Sequence, residues 1–455
     1  MKKQEPGDKT KENREKKIDL RIKNQEPGDK TKEKIGTRVK KQNNRIRRTE
    51  KNIRAFVAKN RRYNINFSNL KSQISNLKKM KLFDVYPLYN ITPVKAQDVF
   101  VTDENGQEYL DLYGGHGVIS IGHTHPKYVE KITDQIQKIG FYSNAVQNPL
   151  QVELAEKLGK LSGCEDYNLF LCNSGAEANE NALKLASFET GKAKVIAFEN
   201  AFHGRTSATV AVTDNKKINA PLNSQHSVCF LALNDSEALE NELAKNDVCA
   251  VIIEPIQGVG GLDQGTPQFF KEVEKLCKKY NVVLILDEVQ SGYGRSGKFF
   301  AFQHHQIQPD IITVAKGMGN GFPIGGILVH PKIEAKYGML GTTFGGNHLA
   351  CAAAISVLEV IENEKLIDNV NEISAYFFEK AKSLPQVKKI KGRGLMLGLE
   401  FDFEVAELRK KLIYEKHIFT GGSNNKNLIR ILPPLTVKKE HIDRFFEALS
   451  SIEIG

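Results

Sequence analysis

The sequence has no run of eighteen or more apolar residues, so no membrane-spanning helix is expected. No apolar stretch follows Met1, which predicts no secretory signal. Cysteine is scarce and scattered: six residues (Cys164, Cys172, Cys229, Cys249, Cys277, Cys351) with no CxxC pair. That argues against a disulfide framework or a zinc ribbon, and for a reducing, cytoplasmic setting. His123-Thr124-His125 and His304-His305 lack companions at metal-ligand spacing, so no metal is expected. What is there is 455 residues, 40% hydrophobic and 26% charged, the composition of a globular protein of two or three domains.

The net charge of +11 and the pI near 9.1 first suggest nucleic acid or an anionic membrane as a partner. The charge is not spread evenly. Residues 1–79 hold 26 Lys and Arg against 9 Asp and Glu, a net of +17, and the rest of the chain carries −6. The extension also contains a direct repeat, since Gln4–Glu12 and Gln25–Glu33 both read QEPGDKTKE. With few aliphatic residues it cannot bury a core, and disorder is expected. Three readings of it compete: a solvated tail, a nucleic-acid or membrane patch, or translated leader upstream of a start at Met80. Aromatic residues for base stacking are few (Phe56, Tyr63, Phe67), which weighs against the patch. The third reading is favoured because a folded pattern begins at Met80.

From there Val99–Thr102 and Glu108–Leu112 alternate as strands around Asn105-Gly106, a hairpin signal. Short apolar runs follow: Leu169–Cys172, Val195–Phe198, Val248–Ile253, Val282–Leu286, Ile311–Val314 and Gly326–Val329. Helical patterns such as Glu177–Thr190 and Gln268–Tyr280 separate them. Runs apolar on both faces and spaced by helices predict an α/β fold with a mostly parallel central sheet covered on both sides. Helices over Leu349–Glu362 and Ile367–Ser383, then strands over Val387–Ile390 and Leu395–Phe401, predict a smaller α+β domain. The expected organisation is an extension (1–79), an N-terminal segment joining the small domain (80–130), a large domain (131–345) and a C-terminal small domain (346–455).

Three groups carry the chemistry. Asp287 closes the strand Val282–Leu286, at the carboxyl end where open α/β sheets bind ligands. Lys316 follows the strand Ile311–Val314, where desolvation would lower its pKa and make it a nucleophile toward an aldehyde. Asn173–Glu180 opens a helix after another strand, with Ser174 as N-cap and small residues beyond, a seat for phosphate. Each alone also has an ordinary reading as a surface acid, a snorkelling lysine or a capped helix. Together they match the needs of pyridoxal phosphate. Gly292–Gly297 (GYGRSG) is a formal dinucleotide fingerprint, yet Lys298, Phe299 and Phe300 follow where small helix residues belong. As a P-loop it fails at Phe299, which cannot ligate magnesium.

Over Met80–Ile454 the sequence resembles the class-III pyridoxal-phosphate aminotransferases of fold type I, closest to the acetylornithine and succinylornithine branch. The motifs that carry this are Asn173–Glu180, Ala201-Phe-His-Gly-Arg205, Glu254-Pro-Ile-Gln-Gly258, Asp287–Gln290, Ala315-Lys316-Gly317 and Thr342–Asn347. The resemblance implies that Lys316 carries the cofactor and shuttles the proton. It implies that Asp287 pairs with the pyridine nitrogen and that Ser174, Gly175 and Ala176 hold the phosphate. Phe202 and Val289 would flank the ring, and Gln290 would reach its hydroxyl. Thr343 would reach the phosphate from a partner subunit, so a homodimer is implied. Arg205, Thr342, Arg430 and His116 would face the substrate, Arg205 by a bidentate carboxylate pair.

Two departures stand out. Relatives carry a glutamate where Val259 stands, paired with the arginine matching Arg430, so here Arg430 is expected to stay available to an anion. Gly114-Gly-His116-Gly117 replaces a common Gly-Gly-Ile-Ala, which suggests a polar or charged acyl group near His116. His116 as a packing residue is the alternative. The activity implied is transfer of the δ-amino group of N-acetylornithine or N-succinylornithine to 2-oxoglutarate, yielding glutamate, in arginine biosynthesis. The rivals are an aminotransferase of free ornithine or 4-aminobutyrate, and a nucleic-acid-binding protein working through residues 1–79.

Overall fold

The computed structural model describes residues 82–453, so the expectations for the extension and for a start at Met80 lie outside the described residues. The unit from Tyr89 onward contains three sheets. Strands β1 (Pro93–Gln97), β2 (Phe100–Asp103) and β3 (Glu108–Asp111) form an antiparallel meander. The expected hairpin turn is present: Asp103 Oδ1 accepts the N–H groups of Asn105 and Gln107, both at 2.9 Å.

The central sheet has β4 (Asn168–Cys172), β5 (Lys194–Phe198), β6 (Val228–Leu231), β7 (Val248–Ile253), β8 (Val283–Asp287), β9 (Ile311–Val314) and β10 (Gly325–Val329). Its seven strands run in the order β4-β10-β9-β8-β7-β5-β6, with only β10 antiparallel to its neighbours. The apolar runs are buried on both faces because alternate side chains enter different cores. Leu284 and Leu286 join Phe269 and Phe270 of the helix Pro267–Tyr280 on one side. Val283 and Ile285 join Ala182 and Ala186 of the helix Gly175–Thr190 on the other.

The third sheet is β11 (Lys389–Arg393), β12 (Met396–Glu400) and β14 (Leu428–Ile431). A short β13 (Ile418–Phe419) instead pairs in parallel with β3, so the N-terminal meander and the C-terminal part of the chain share one sheet. Helices His348–Asn363 and Leu366–Lys382 lie within a residue or two of expectation. Strands β1, β6, β13 and β14 were not anticipated. All are short: β1 (PVKAQ) is an edge strand of mixed polarity, β13 has two residues, and β6 (VCFL) has an apolar run but lies at a sheet edge with its side chains only partly buried.

Candidate active site

Three strands of the central sheet aim their carboxyl ends at one cleft. β8 ends in Asp287, which is 5% exposed. Its Oδ2 accepts from Asn179 Nδ2 at 2.8 Å and sits 2.7 Å from His203 Nδ1. Its Oδ1 accepts from Val289 N at 3.0 Å. Burial pushes the Asp287 carboxyl up, but the His203 ring and the Lys316 ammonium outweigh it and hold the group below the usual carboxylate range. The buried Nε2 of His203 has no partner among the described residues, so the ring's hydrogen bond among them is to Asp287. Neither His203 nor Asn179 had a role in the sequence reading. Both lay inside quoted motifs, and only the fold brings them to Asp287.

β9 leads to Lys316, whose φ of +49° puts a non-glycine residue in the left-handed region. Such strain persists only where packing over-determines it, and it clusters at functional sites. Burial lowers the Lys316 pKa, while Asp287 and Glu254 pull it back up. β4 leads to Ser174, the N-cap of the helix Gly175–Thr190; its Oγ accepts from Glu177 N at 3.2 Å. The Glu177 carboxylate reaches back to Asn173 N at 3.0 Å. The cap leaves the next backbone N–H groups, those of Gly175 and Ala176, at the positive end of the helix dipole. A Cβ on Gly175 would stand 2.6 Å from Val289 Cγ1, so only glycine lets Val289 lie against this helix start.

The residues present fit pyridoxal phosphate. A carboxylate kept anionic suits a pyridinium, a desolvated amine suits an aldehyde, and a helix N-terminus suits a phosphate. Ala176, Phe202, Val289 and Gln290 line the same cleft. Glu254, also unassigned from the sequence, fixes its far wall: Oε1 accepts from Phe202 N at 2.9 Å and Oε2 from Gly258 N at 2.8 Å. Burial raises the Glu254 pKa against the pull of His203.

Arg430, on β14, is 3% exposed. It donates to three neutral oxygens: Nε to Gly422 O at 2.5 Å, Nη1 to Gly258 O at 2.7 Å and to Gln290 Oε1 at 3.3 Å. Val259 lines the cleft close by. His116 sits on a turn in which Gly114, Gly115, His116 and Gly117 all have positive φ, a shape that the three glycines make accessible. Its carbonyl accepts from Gln290 Nε2 at 2.9 Å, and its ring Nδ1 is hydrogen-bonded to Tyr113 Oη. Burial and then the charges of Arg430 and Lys316 lower the His116 pKa, and the residue is not among those that line the cleft. Arg205 is exposed, its guanidinium 6.0 Å from the Phe202 ring. Thr342 Oγ1 accepts from Gly345 N at 3.0 Å, and Thr343 is exposed and outside the cleft lining.

The class-III aminotransferase family matches residues 84–452. The chain is 40% identical over 392 residues to the acetylornithine aminotransferase of Methanocaldococcus jannaschii, covering 83% of this chain and 97% of that one. It is 41% identical over 381 residues to the acetylornithine aminotransferase of Aquifex aeolicus, covering 82% and 99%. Among solved structures it resembles the ornithine aminotransferase of Toxoplasma gondii, with a TM-score of 0.76, 28% identity and coverage of 84% and 98%. An S-selective transaminase from Arthrobacter shares the fold at a TM-score of 0.75 and 22% identity, covering 85% and 97%.

Proposed function

The chain belongs to the class-III aminotransferases, enzymes that use pyridoxal 5′-phosphate, and on that premise we propose that it moves the δ-amino group of an N-acylated ornithine to 2-oxoglutarate. The observation that carries the reading is the pair of arginines flanking the Lys316 cleft, Arg430 beside Gln290 and Arg205 beside Phe202. Two guanidinium groups suit the two carboxylates of 2-oxoglutarate. The acylated donor follows from the names of the relatives that share about 40% of their residues over nearly their whole length.

The bound cofactor supplies the electron sink for the carbanion formed next to the nitrogen. Ser174, Gly175 and Ala176 would hold its phosphate, and Phe202 and Val289 would flank its ring. Asp287, held anionic by His203, would favour a protonated pyridine nitrogen. The Lys316 amine, its pKa lowered by burial, would take the proton from the substrate carbon that bears the nitrogen and deliver it to the aldehyde-derived carbon of the cofactor, which is what moves the amino group. Arg205 and Arg430 fix the substrate carboxylates so that this carbon faces Lys316. With Val259 beside it and only neutral acceptors around it, Arg430 stays open to an anion, and His116 is placed to meet a polar acyl group.

We further propose a homodimer in the cytoplasm, acting in arginine biosynthesis, with an N-terminal segment, a large domain and a C-terminal small domain divided as in the sequence reading. Apolar side chains exposed near Thr343 favour the dimer: the Phe141 and Phe344 rings pack against each other, tilted, with centroids 5.3 Å apart, while 44% and 60% exposed. No helix among the described residues is long and apolar enough to cross a membrane. The deciding experiment is an initial-rate panel of N-acetylornithine, N-succinylornithine, free ornithine, 4-aminobutyrate and succinyldiaminopimelate with 2-oxoglutarate. The two acylated ornithines should lead in kcat/KM. A lead for free ornithine or 4-aminobutyrate would replace the reading. Visible cofactor absorbance that survives Lys316→Ala would remove its basis. DNA binding that weakens with salt and vanishes on deleting residues 1–79 would instead favour a role for the extension.

A further inference from the structure

The GYGRSG segment, neither a dinucleotide fingerprint nor a P-loop, contains one of the largest fully buried side chains among the described residues, Arg295. It is 2% exposed, and its guanidinium's hydrogen-bond partners among the described residues are backbone carbonyls. Nη1 donates to Pro433 O and, at 3.4 Å, to Leu395 O; Nη2 donates to Ile119 O at 3.4 Å. Its own carbonyl accepts from Leu395 N at 2.8 Å. A guanidinium taken out of water with only carbonyls as partners is a poor source of stability. What it offers is geometry, a rigid fork that reaches several chain segments at once.

Those segments are the ones that carry the substrate-facing groups. Pro433 lies three residues beyond Arg430. Ile119 ends the turn that carries His116 and precedes Ser120, whose Oγ donates to Gly317 O at 2.7 Å, next to Lys316. Leu395 precedes Met396, whose Cε would stand 3.5 Å from a Cβ on Gly258, the residue whose carbonyl receives Arg430. Arg295 itself follows Asp287 and Gln290 on the segment leaving β8.

We propose that Arg295 is a positioning residue for transamination: it pins the Arg430 strand and the His116 turn to the segment leaving β8, and so sets the carboxylate-binding groups against Lys316. The inference rests on reading Arg430 as a carboxylate-binding residue.

The test uses full-chain holoenzyme carrying Arg295→Lys or Arg295→Met. The glutamate half-reaction is followed by the cofactor's absorbance, with amide hydrogen exchange as a second readout. For Arg295→Lys, KM for glutamate should rise ~10-fold and kcat change less than ~3-fold, as expected for misplaced binding groups. Exchange over residues 113–119 and 428–433 should quicken, with cofactor absorbance and melting temperature kept. Arg295→Met should show the same pattern more strongly, and if it fails to fold the lysine variant decides. An unchanged KM overturns the proposal, as does a raised KM without faster exchange. A parallel fall of KM quality, kcat and cofactor content also overturns it, since that marks general destabilisation. Arg430→Lys separates the two readings: if it leaves KM for glutamate unchanged, the reading of Arg430 fails whatever Arg295 does.

Discussion

Glu254 and Arg430 meet through the backbone of a single residue: Glu254 Oε2 accepts the Gly258 N–H at 2.8 Å, and Arg430 Nη1 donates to the Gly258 carbonyl at 2.7 Å. A Cβ at Gly258 would fall 2.1 Å from Gln290 Oε1, so any side chain there would have to displace the Gln290 amide. The arginine is thus anchored by neutral groups, while the nearby acid acts on it from a distance. Burial lowers the Arg430 pKa, so an incoming carboxylate relieves a desolvated cation.

Replacing Val259 by Glu introduces a direct competitor for that cation. Val259→Glu should raise KM for 2-oxoglutarate about 10-fold, the scale of one charge-assisted pair. KM for a donor without an acidic group near Arg430 should stay within about 2-fold, the residual expected of a site left uncoupled. Initial-rate measurements with both substrates check this, and the idea is sunk if neutral- and acid-tailed substrates behave as in the parent.

The pairing of His203 with Asp287 has a pH consequence. The Asp287 pKa lies below the usual range because the His203 ring and Lys316 outweigh burial. With His203→Phe, burial acts with less opposition and the folded-state pKa rises. An acid whose pKa rises loses its charge at higher pH, so the acid limb of the kcat/KM profile should move upward by about 1 unit or more. An acid limb that stays in place would show that Asp287 is held anionic by something other than His203.

Much of the cofactor end was legible in the sequence because each of its groups sits where a strand stops. Asp287, Lys316 and Ser174 follow apolar runs, and parallel strands with helical crossovers bring such ends to one edge. Asn179, His203 and Glu254 were not assigned roles, since each acts through a partner distant in sequence: Asn179 and Asp287 are 108 residues apart. The N-terminal segment was expected to join the small domain, but the particular pairing of β13 with β3 was not legible, because Ile418–Phe419 is too short to show a period. Thr343 was placed from resemblance alone, and its expected partner is a second chain.

Gly175 tests the cradle at the helix start. A methyl there would stand 2.6 Å from Val289 Cγ1, and a β-branched side chain has few rotamers in which to retreat. Gly175→Ala should cost about 1–3 kcal/mol of local strain. Part of it should appear as cofactor affinity weakened about 10-fold, since the strain falls on two residues that line the proposed cofactor cleft. Titration of apoenzyme with pyridoxal phosphate measures this. Unchanged affinity would mean that Val289 does not form one wall of the site.

Glu288 makes stability itself depend on pH. The carboxyl is 1% exposed, accepting from Ser291 Oγ at 2.6 Å and from Phe302 N at 2.8 Å, with no cation in contact among the described residues. Burial pushes its pKa up to about 7 from a reference of 4.5. A carboxyl whose folded-state pKa is raised contributes most below its unfolded pKa, and the contribution is lost as pH rises through about 7. The span corresponds to roughly 3 kcal/mol. Glu288→Gln keeps an acceptor for Phe302 N and removes the ionisation. The variant's unfolding free energy relative to the parent should therefore rise by about 2–3 kcal/mol between pH 5 and pH 8. Urea unfolding of both proteins at the two pH values reads it directly. A constant difference would mean that Glu288 ionises as readily folded as unfolded, contrary to its burial.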